Sequence, residues 1–290
     1  MVKGTILKGI GGFYYIDTDN GVYECRARGI FRKENMTPVV GDYVKIQIID
    51  EKNKKGNLEV IEKRKNELIR PRVSNVDQAI IVFASVSPDI NLDLLDRFLV
   101  VVEEQGLDVV ICINKIDLDI NKKFQSICKI YEEAGYCIIP VCTKDGTGIE
   151  DIKKHLKNKI TVFAGPSGVG KSSILNAVSP ELNLNTGEIS AKIERGKHTT
   201  RHAELMEFEQ NSYIVDSPGF TSLHLDHINK DDLQNYFIEF HEFNHGCKFT
   251  GCTHIHEPGC NIKAHIGSGI GEERYNRYVT LYNELKEKRK

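Results

Sequence analysis

Eight residues, Gly165-Pro166-Ser167-Gly168-Val169-Gly170-Lys171-Ser172, have the composition of a loop that wraps a polyphosphate. They fit G-x-x-x-x-G-K-[ST], in which glycines let the backbone turn its N–H groups towards phosphate oxygens and a following helix adds a favourable dipole. Lys171 is placed to reach the β- and γ-phosphates, and the Ser172 hydroxyl to ligate Mg²⁺. The apolar run before the loop reads as a strand and the run after it as a helix, which is the context the loop needs. Further on, IVDSPGF puts Asp216 at a strand end, where a carboxylate can serve Mg²⁺, and Gly219 where a backbone N–H can sense a γ-phosphate. Between them lies RGKHTTRHAEL. Either Thr199 or Thr200 could bind Mg²⁺ in the triphosphate state and let go after hydrolysis.

A second constellation stands upstream. Asn114-Lys115-Ile116-Asp117 follows the apolar VVICI. The Asp117 carboxylate can accept from both N1–H and the exocyclic amine of guanine. Adenine offers neither, so a base of the wrong kind leaves the carboxylate unpaired. The Lys115 stem can cover the base, and Asn114 can tie this loop to the phosphate loop. Cys142-Thr143-Lys144, after the next apolar run, sits where GTPases carry Ser-Ala-Lys and offer a backbone N–H to the guanine O6.

CKFTGCTHIHEPGC contains Cys247, Cys252 and Cys260 with histidines among and before them. Three thiolates and one imidazole make a closed tetrahedral set suited to structural Zn²⁺, not to a catalytic metal with an open position. Spacing leaves His241, His245, His254 and His256 all in reach. The spacing is not that of the common DNA-reading finger.

The elements that must hold these groups fall into three stretches. Residues 1–68 alternate short β-branched and aromatic runs with turn signals at Gly11-Gly12, Asn20-Gly21 and Gly41-Asp42, predicting a small closed barrel of the OB-fold kind. Phe13, Tyr14 and Tyr15 near Lys8, Arg26 and Arg28 could stack bases and bind phosphates there, or serve as barrel core. Arg70-Pro71-Arg72 reads as a linker. Residues 73–221 alternate strands and helices, predicting a mostly parallel sheet with its ligands at the carboxyl ends of the strands. Residues 222–290 read as helical, then Cys/His-rich, and end in an amphipathic helix. Cys25, Cys112, Cys128 and Cys137 are expected to be core or half-buried.

Net charge is −2, yet residues 1–72 hold 15 Lys and Arg against 10 acidic residues, and residues 261–290 hold 7 against 4. Cationic ends around an acidic centre fit contact with a polyanion. The longest apolar run is too short to cross a bilayer, and the amino-terminal stretch lacks the features of a signal peptide, so a cytoplasmic, membrane-free protein with free thiols is expected.

The motif order, NKID, CTK, GPSGVGKS, HTT, DSPG, is the usual GTPase set cyclically rotated. With the barrel ahead of it and CTHIHEPGC behind it, the chain resembles the circularly permuted GTPase family of ribosome small subunit-dependent GTPase A (RsgA) along essentially its whole length. The resemblance implies an OB-fold, a permuted P-loop GTPase domain and a C-terminal helical zinc-binding domain. It implies GTP hydrolysis to GDP and phosphate, stimulated by the 30S subunit late in that subunit's maturation, with 16S rRNA as a contact and a monomeric chain. It adds Ser173 to the GTP-binding residues, favours Thr200 with Ser172 and Asp216 for Mg²⁺, and favours His254 with the three cysteines for zinc. Ras-like enzymes place a water-orienting Gln directly after the glycine that matches Gly219; here Phe220 stands there, and the resemblance offers His198 instead. Two rivals remain. An ATPase or small-molecule kinase is opposed by Asp117, and a non-hydrolysing RNA adaptor by the paired HTT and DSPG segments.

Overall fold

The structure, a computed structural model, describes residues 1–29, 31, 36–69, 71–182, 184, 203–216, 225 and 227–288. Two compact bodies divide them. One takes Met1–Gln78, Ile152–Phe163 and Val178–Phe220; the other takes Ala79–Asp151, Ala164–Ala177 and Thr221–Lys290.

In the first body, β1 (Val2–Ile10), β2 (Phe13–Asp17), β3 (Tyr23–Ala27), β4 (Tyr43–Asp50) and β5 (Lys55–Ile61) close into a barrel in the order β1-β2-β3-β5-β4. The parallel pairing of β3 with β5 and the return of β4 to β1 give the five-stranded closure expected of an OB-type barrel. Its core is Ile6, Ile16, Tyr23, Cys25, Phe31, Val44, Ile46 and Leu58. The aromatics singled out in the sequence are half-buried on β2, and two carry cations: the Arg26 guanidinium lies 4.7 Å from the Phe13 ring centre and the Lys8 ammonium 5.4 Å from that of Tyr15. The stretch read as a linker is flanked by a small hairpin, β6 (Glu67–Ile69) with β7 (Arg72–Ser74). Pro71 fits the turn between them because it has no N–H to lose from a ladder.

The same body holds β11 (Ile160–Ala164), paired in parallel with β13 (Ser212–Asp216), which pairs antiparallel with β12 (Glu204–Glu209). The barrel grips this hairpin on both strands. The Tyr213 hydroxyl donates to the Asp17 carboxylate at 2.6 Å, and the Lys8 ammonium donates to Glu204 at 2.9 Å.

In the second body, β8 (Gln78–Ala84), β9 (Asp108–Asn114) and β10 (Cys137–Pro140) lie side by side in the order β10-β9-β8. β8 is buried along its whole length, as a strand covered on both faces should be. Cys137 departs from expectation: it opens the edge strand β10 and is exposed. Helix α1 (Leu92–Glu104) starts where the Asn91 side chain accepts the Leu94 N–H, and α2 (Lys123–Glu133) follows as expected; α3 (Ile149–Leu156), also expected, begins in this body and belongs to the first body from Ile152 on. Helix α4 (Lys171–Val178) follows the phosphate loop.

Past residue 226 the expected helical stretch is a series of 3₁₀ turns, Leu233–Tyr236, Ile238–Phe240 and Asn244–Gly246, before the short α5 (Asn261–Ala264) and the long α6 (Glu272–Glu287). Their side chains build a core of Leu233, Phe237, Phe240, Tyr278, Leu281 and Leu285. Beneath it lies a buried ionic cluster. The Arg274 guanidinium donates to Asp96 at 2.6 Å and to both oxygens of Glu239 at 2.7 and 3.0 Å, while Arg277 and the Tyr131 hydroxyl also donate to Asp96. Among the described residues, no helix is long and apolar enough to cross a membrane.

Candidate functional site

The Asn114–Asp117 loop and the Gly165–Ser172 loop meet although more than fifty residues separate them in the chain. The Asn114 amide at the end of β9 donates to the Val169 carbonyl at 2.9 Å, and the Lys115 ammonium donates to the Gly168 carbonyl at 2.7 Å. Lys115 adopts a left-handed backbone, φ 60°, which turns the chain sharply out of β9 and into the turn Ile116–Leu118 that carries Asp117. Asn114 is buried, and its Oδ1 finds no partner among the described residues. A ligand or an ordered water there would satisfy it.

Asp117 stands at the surface. The Lys144 ammonium lies 2.7 Å from its carboxylate, and the Cys142 thiol also donates to it; the Lys144 contact leads in holding Asp117 below the usual carboxylate range. Asp117, Cys142 and Lys144 therefore converge, and Thr143 lies between the last two.

In the phosphate loop, Val169 is buried and Ser167 and Gly168 are exposed. The Lys171 ammonium is held by the carbonyls of Gly165 and Pro166 at 2.8 and 2.7 Å, and burial pushes its pKa down to about 8. Among the described residues its recorded partners are these two neutral carbonyls, so a polyphosphate would supply the counter-charge that makes its ammonium favourable. Ser172 and Ser173 open α4 and are half-buried. Asp216 closes β13 in the other body. His198, Thr199, Thr200, Gly219 and Phe220 lie outside the described residues.

The motifs did not point to the supports behind them. Ser85, just past β8, donates its N–H to the Asn114 carbonyl at 2.9 Å and its hydroxyl to Asp119 at 2.5 Å, and the Phe124 N–H reaches the same carboxylate at 2.8 Å. The Ser87 carbonyl accepts from Lys115. Asp119 is thus the buried pin of the turn that presents Asp117. Its hydrogen bonds with Ser85 and backbone N–H groups outweigh its burial and hold its pKa below the ordinary value, so the anchor is present above that value and fades as pH falls through the lowered pKa. Asp119→Ala is expected to raise KM for GTP about tenfold, from about 1–2 kcal/mol of lost charged hydrogen bonding, with kcat little changed; steady-state kinetics with kcat falling instead would contradict this.

Cys247, Cys252, His254 and Cys260 form a group that could hold a metal ion, their ligand atoms all within 4.8 Å of one another. The other three histidines in reach by spacing, His241, His245 and His256, are exposed and outside the group. The knuckle is tied by one carboxylate. Glu257 accepts from the Thr253 N–H and hydroxyl and from the N–H groups of Ile255 and His256, at 2.7–3.1 Å. The Asn261 N–H donates to the Cys247 sulfur at 3.3 Å, a contact suited to a thiolate. Three buried donors and the half-buried Cys247, soft and in a closed set, fit a structural transition-metal ion.

Comparison with known proteins places this geometry. The family model for the RsgA N-terminal domain matches residues 3–57, and that for the RsgA GTPase matches residues 61–226. The chain is 49% identical to the small ribosomal subunit biogenesis GTPase RsgA of Alkaliphilus metalliredigens over 100% of both chains. It is 46% identical to that of Caldanaerobacter subterraneus over 100% of this chain and 97% of the relative. Among solved structures it is similar to YjeQ from Thermotoga maritima, at TM-score 0.84 and 36% identity over 98% of each chain. It is also similar to YloQ, described as a circularly permuted GTPase, at TM-score 0.84 and 40% identity over 100% of this chain and 96% of the other.

Proposed function

The chain belongs to the RsgA GTPase family and is a GTP-hydrolysing enzyme, and from that premise we propose that it works on the small (30S) ribosomal subunit, late in its maturation, with the subunit stimulating turnover. The observation that carries the guanine reading is the junction of Asn114 and Lys115 with Val169 and Gly168, which brings a base loop and a phosphate loop together in reversed chain order.

In this reading Asp117 accepts from the guanine edge, Lys115 covers the base, and the Cys142-Thr143-Lys144 turn offers a backbone N–H to O6. The backbone of Gly165, Pro166, Ser167, Gly168, Val169 and Gly170 cradles the phosphates, Lys171 meets the β- and γ-oxygens, and Ser173 extends the cradle into α4. Ser172, Thr200 and Asp216 hold Mg²⁺, which when bound with GTP neutralises charge on the phosphoryl group being transferred. Gly219 senses the γ-phosphate, and His198 orients the attacking water in place of the side chain that Phe220 cannot supply.

The names of the relatives and the cationic ends of the chain support the 30S assignment. The cation–aromatic pairs on the barrel support contact with 16S rRNA, since stacked rings with neighbouring cations suit single-stranded bases and phosphates. The soft, closed donor set supports Zn²⁺ at the cysteine cluster. We assign residues 1–68 to the barrel domain, 73–221 to the permuted GTPase domain and 222–290 to the zinc domain, in a monomeric cytoplasmic protein.

The test is GTP hydrolysis by the purified chain, alone and with 30S subunits, with ATP as control. Slow GTP turnover alone, strong stimulation by 30S and no ATP turnover are expected. Equal rates with and without 30S would overturn the partner assignment.

A further inference from the structure

The Nδ1 atom of His254 lies 3.6 Å from the Cys247 sulfur and 3.3 Å from the Cys260 sulfur. On the far side of the ring, Nε2 lies 2.7 Å from Oε1 of Gln234. The orientation of that amide is fixed, because its nitrogen donates to the Asp231 carbonyl at 3.1 Å and so turns the oxygen towards the ring. An amide oxygen can only accept. The hydrogen between the two therefore belongs to His254 Nε2, and a neutral imidazole protonated there carries its lone pair on Nδ1, the atom that faces the thiols.

We propose that Gln234 is the positioning residue of the metal centre: it selects the His254 tautomer and aims Nδ1 at the ion. The inference rests on the metal reading above. Gln234 is well placed for this because its turn, Leu233–Tyr236, is anchored by the fully buried Leu233 and packs against α1. The other side of His254 is equally constrained. Its backbone is left-handed, φ 62°, and its carbonyl accepts the Tyr275 hydroxyl at 2.7 Å. The ring is thus held from its backbone and from its remote nitrogen, leaving one direction for coordination. An acceptor on the remote nitrogen also raises the basicity of the ligating one.

The experiment measures zinc affinity of the full chain by competition with a chromophoric chelator. Wild type, Gln234→Leu, which keeps the bulk and cannot accept, and Gln234→Glu, which accepts more strongly, are compared. One zinc per wild-type chain is expected, with Gln234→Leu about 10–100-fold weaker and Gln234→Glu at least as tight as wild type. Long-range ¹H–¹⁵N spectra of the zinc-loaded wild type should show a proton on His254 Nε2 and the metal on Nδ1. Three results would overturn the proposal: Gln234→Leu equal to wild type, Gln234→Glu weakened as much as the leucine variant, or Nε2 bound to metal. A wild-type chain that takes up no zinc removes the metal reading itself, whereas zinc uptake with an indifferent Gln234 removes only the positioning role.

Discussion

Gly170→Ala is expected to weaken GTP binding at least about a hundredfold, roughly 3 kcal/mol, whereas Gly168→Ala in the same loop should cost about tenfold or less. Both glycines have positive φ, 93° and 80°, so each alanine pays a similar backbone strain of about 1–2 kcal/mol. Their surroundings differ. A Cβ on Gly170 would stand 2.3 Å from the Asn114 amide nitrogen, the group that donates to Val169, while a Cβ on Gly168 meets nothing nearer than Pro88 at 3.9 Å. The first change pushes out the tie between the two loops; the second only strains one of them. Titration with a fluorescent, non-hydrolysable GTP analogue would check the pair, and equal losses would mean that the tie does not matter for binding. Thermal melting of both variants separates lost binding from lost folding.

The second large effect concerns stability. Arg274→Ala is expected to destabilise the second body by about 3–5 kcal/mol, because it leaves buried carboxylates facing a cavity. Asp96 keeps Arg277 and Tyr131 as partners, but Glu239 loses both of its contacts with Arg274. The guanidinium also packs 4.6 Å from the Phe237 ring centre and 5.3 Å from that of Tyr131, so alanine gives up packing as well as charge. Arg274→Met with Glu239→Met should recover much of the loss, since an apolar pair needs no compensation. Urea unfolding of the two variants would check this; a double variant no better than Arg274→Ala would place the cost in shape, not in the orphaned charge.

How much of this was legible in the sequence depended on how local each signal was. The phosphate loop, the NKID turn and the cysteine spacing carry their chemistry within a few residues. β8 was legible because seven consecutive buried positions leave no polar face. β12 was not, since it is an edge strand with only Leu205 fully buried and so reads as a polar loop. Leu233, Phe237 and Phe240 have the i, i+4, i+7 spacing of an α-helix, but the structure reaches the same buried side with two separate 3₁₀ turns, Leu233–Tyr236 and Ile238–Phe240, broken at Phe237. Ser85, Asp119, Gln234 and Arg274 were invisible because their meaning lies in partners brought in by the fold. Asp96 and Arg274 are 178 residues apart, and nothing near either announces the other.

The bond between Asn114 and Val169 also has a place in time. A chain grows from its amino end, and domains begin to organise as they emerge. In this chain the strand that ends in Asn114 is complete long before Val169 is added, so the loop proposed to distinguish guanine is older, in the life of each molecule, than the loop proposed to grasp phosphate. A growing chain of the unrotated order passes through a stage with a phosphate grip and no means of telling one purine from another. On the proposed assignment this chain skips that stage: by the time the later loop can hold a nucleotide, the selector it answers to has already been made.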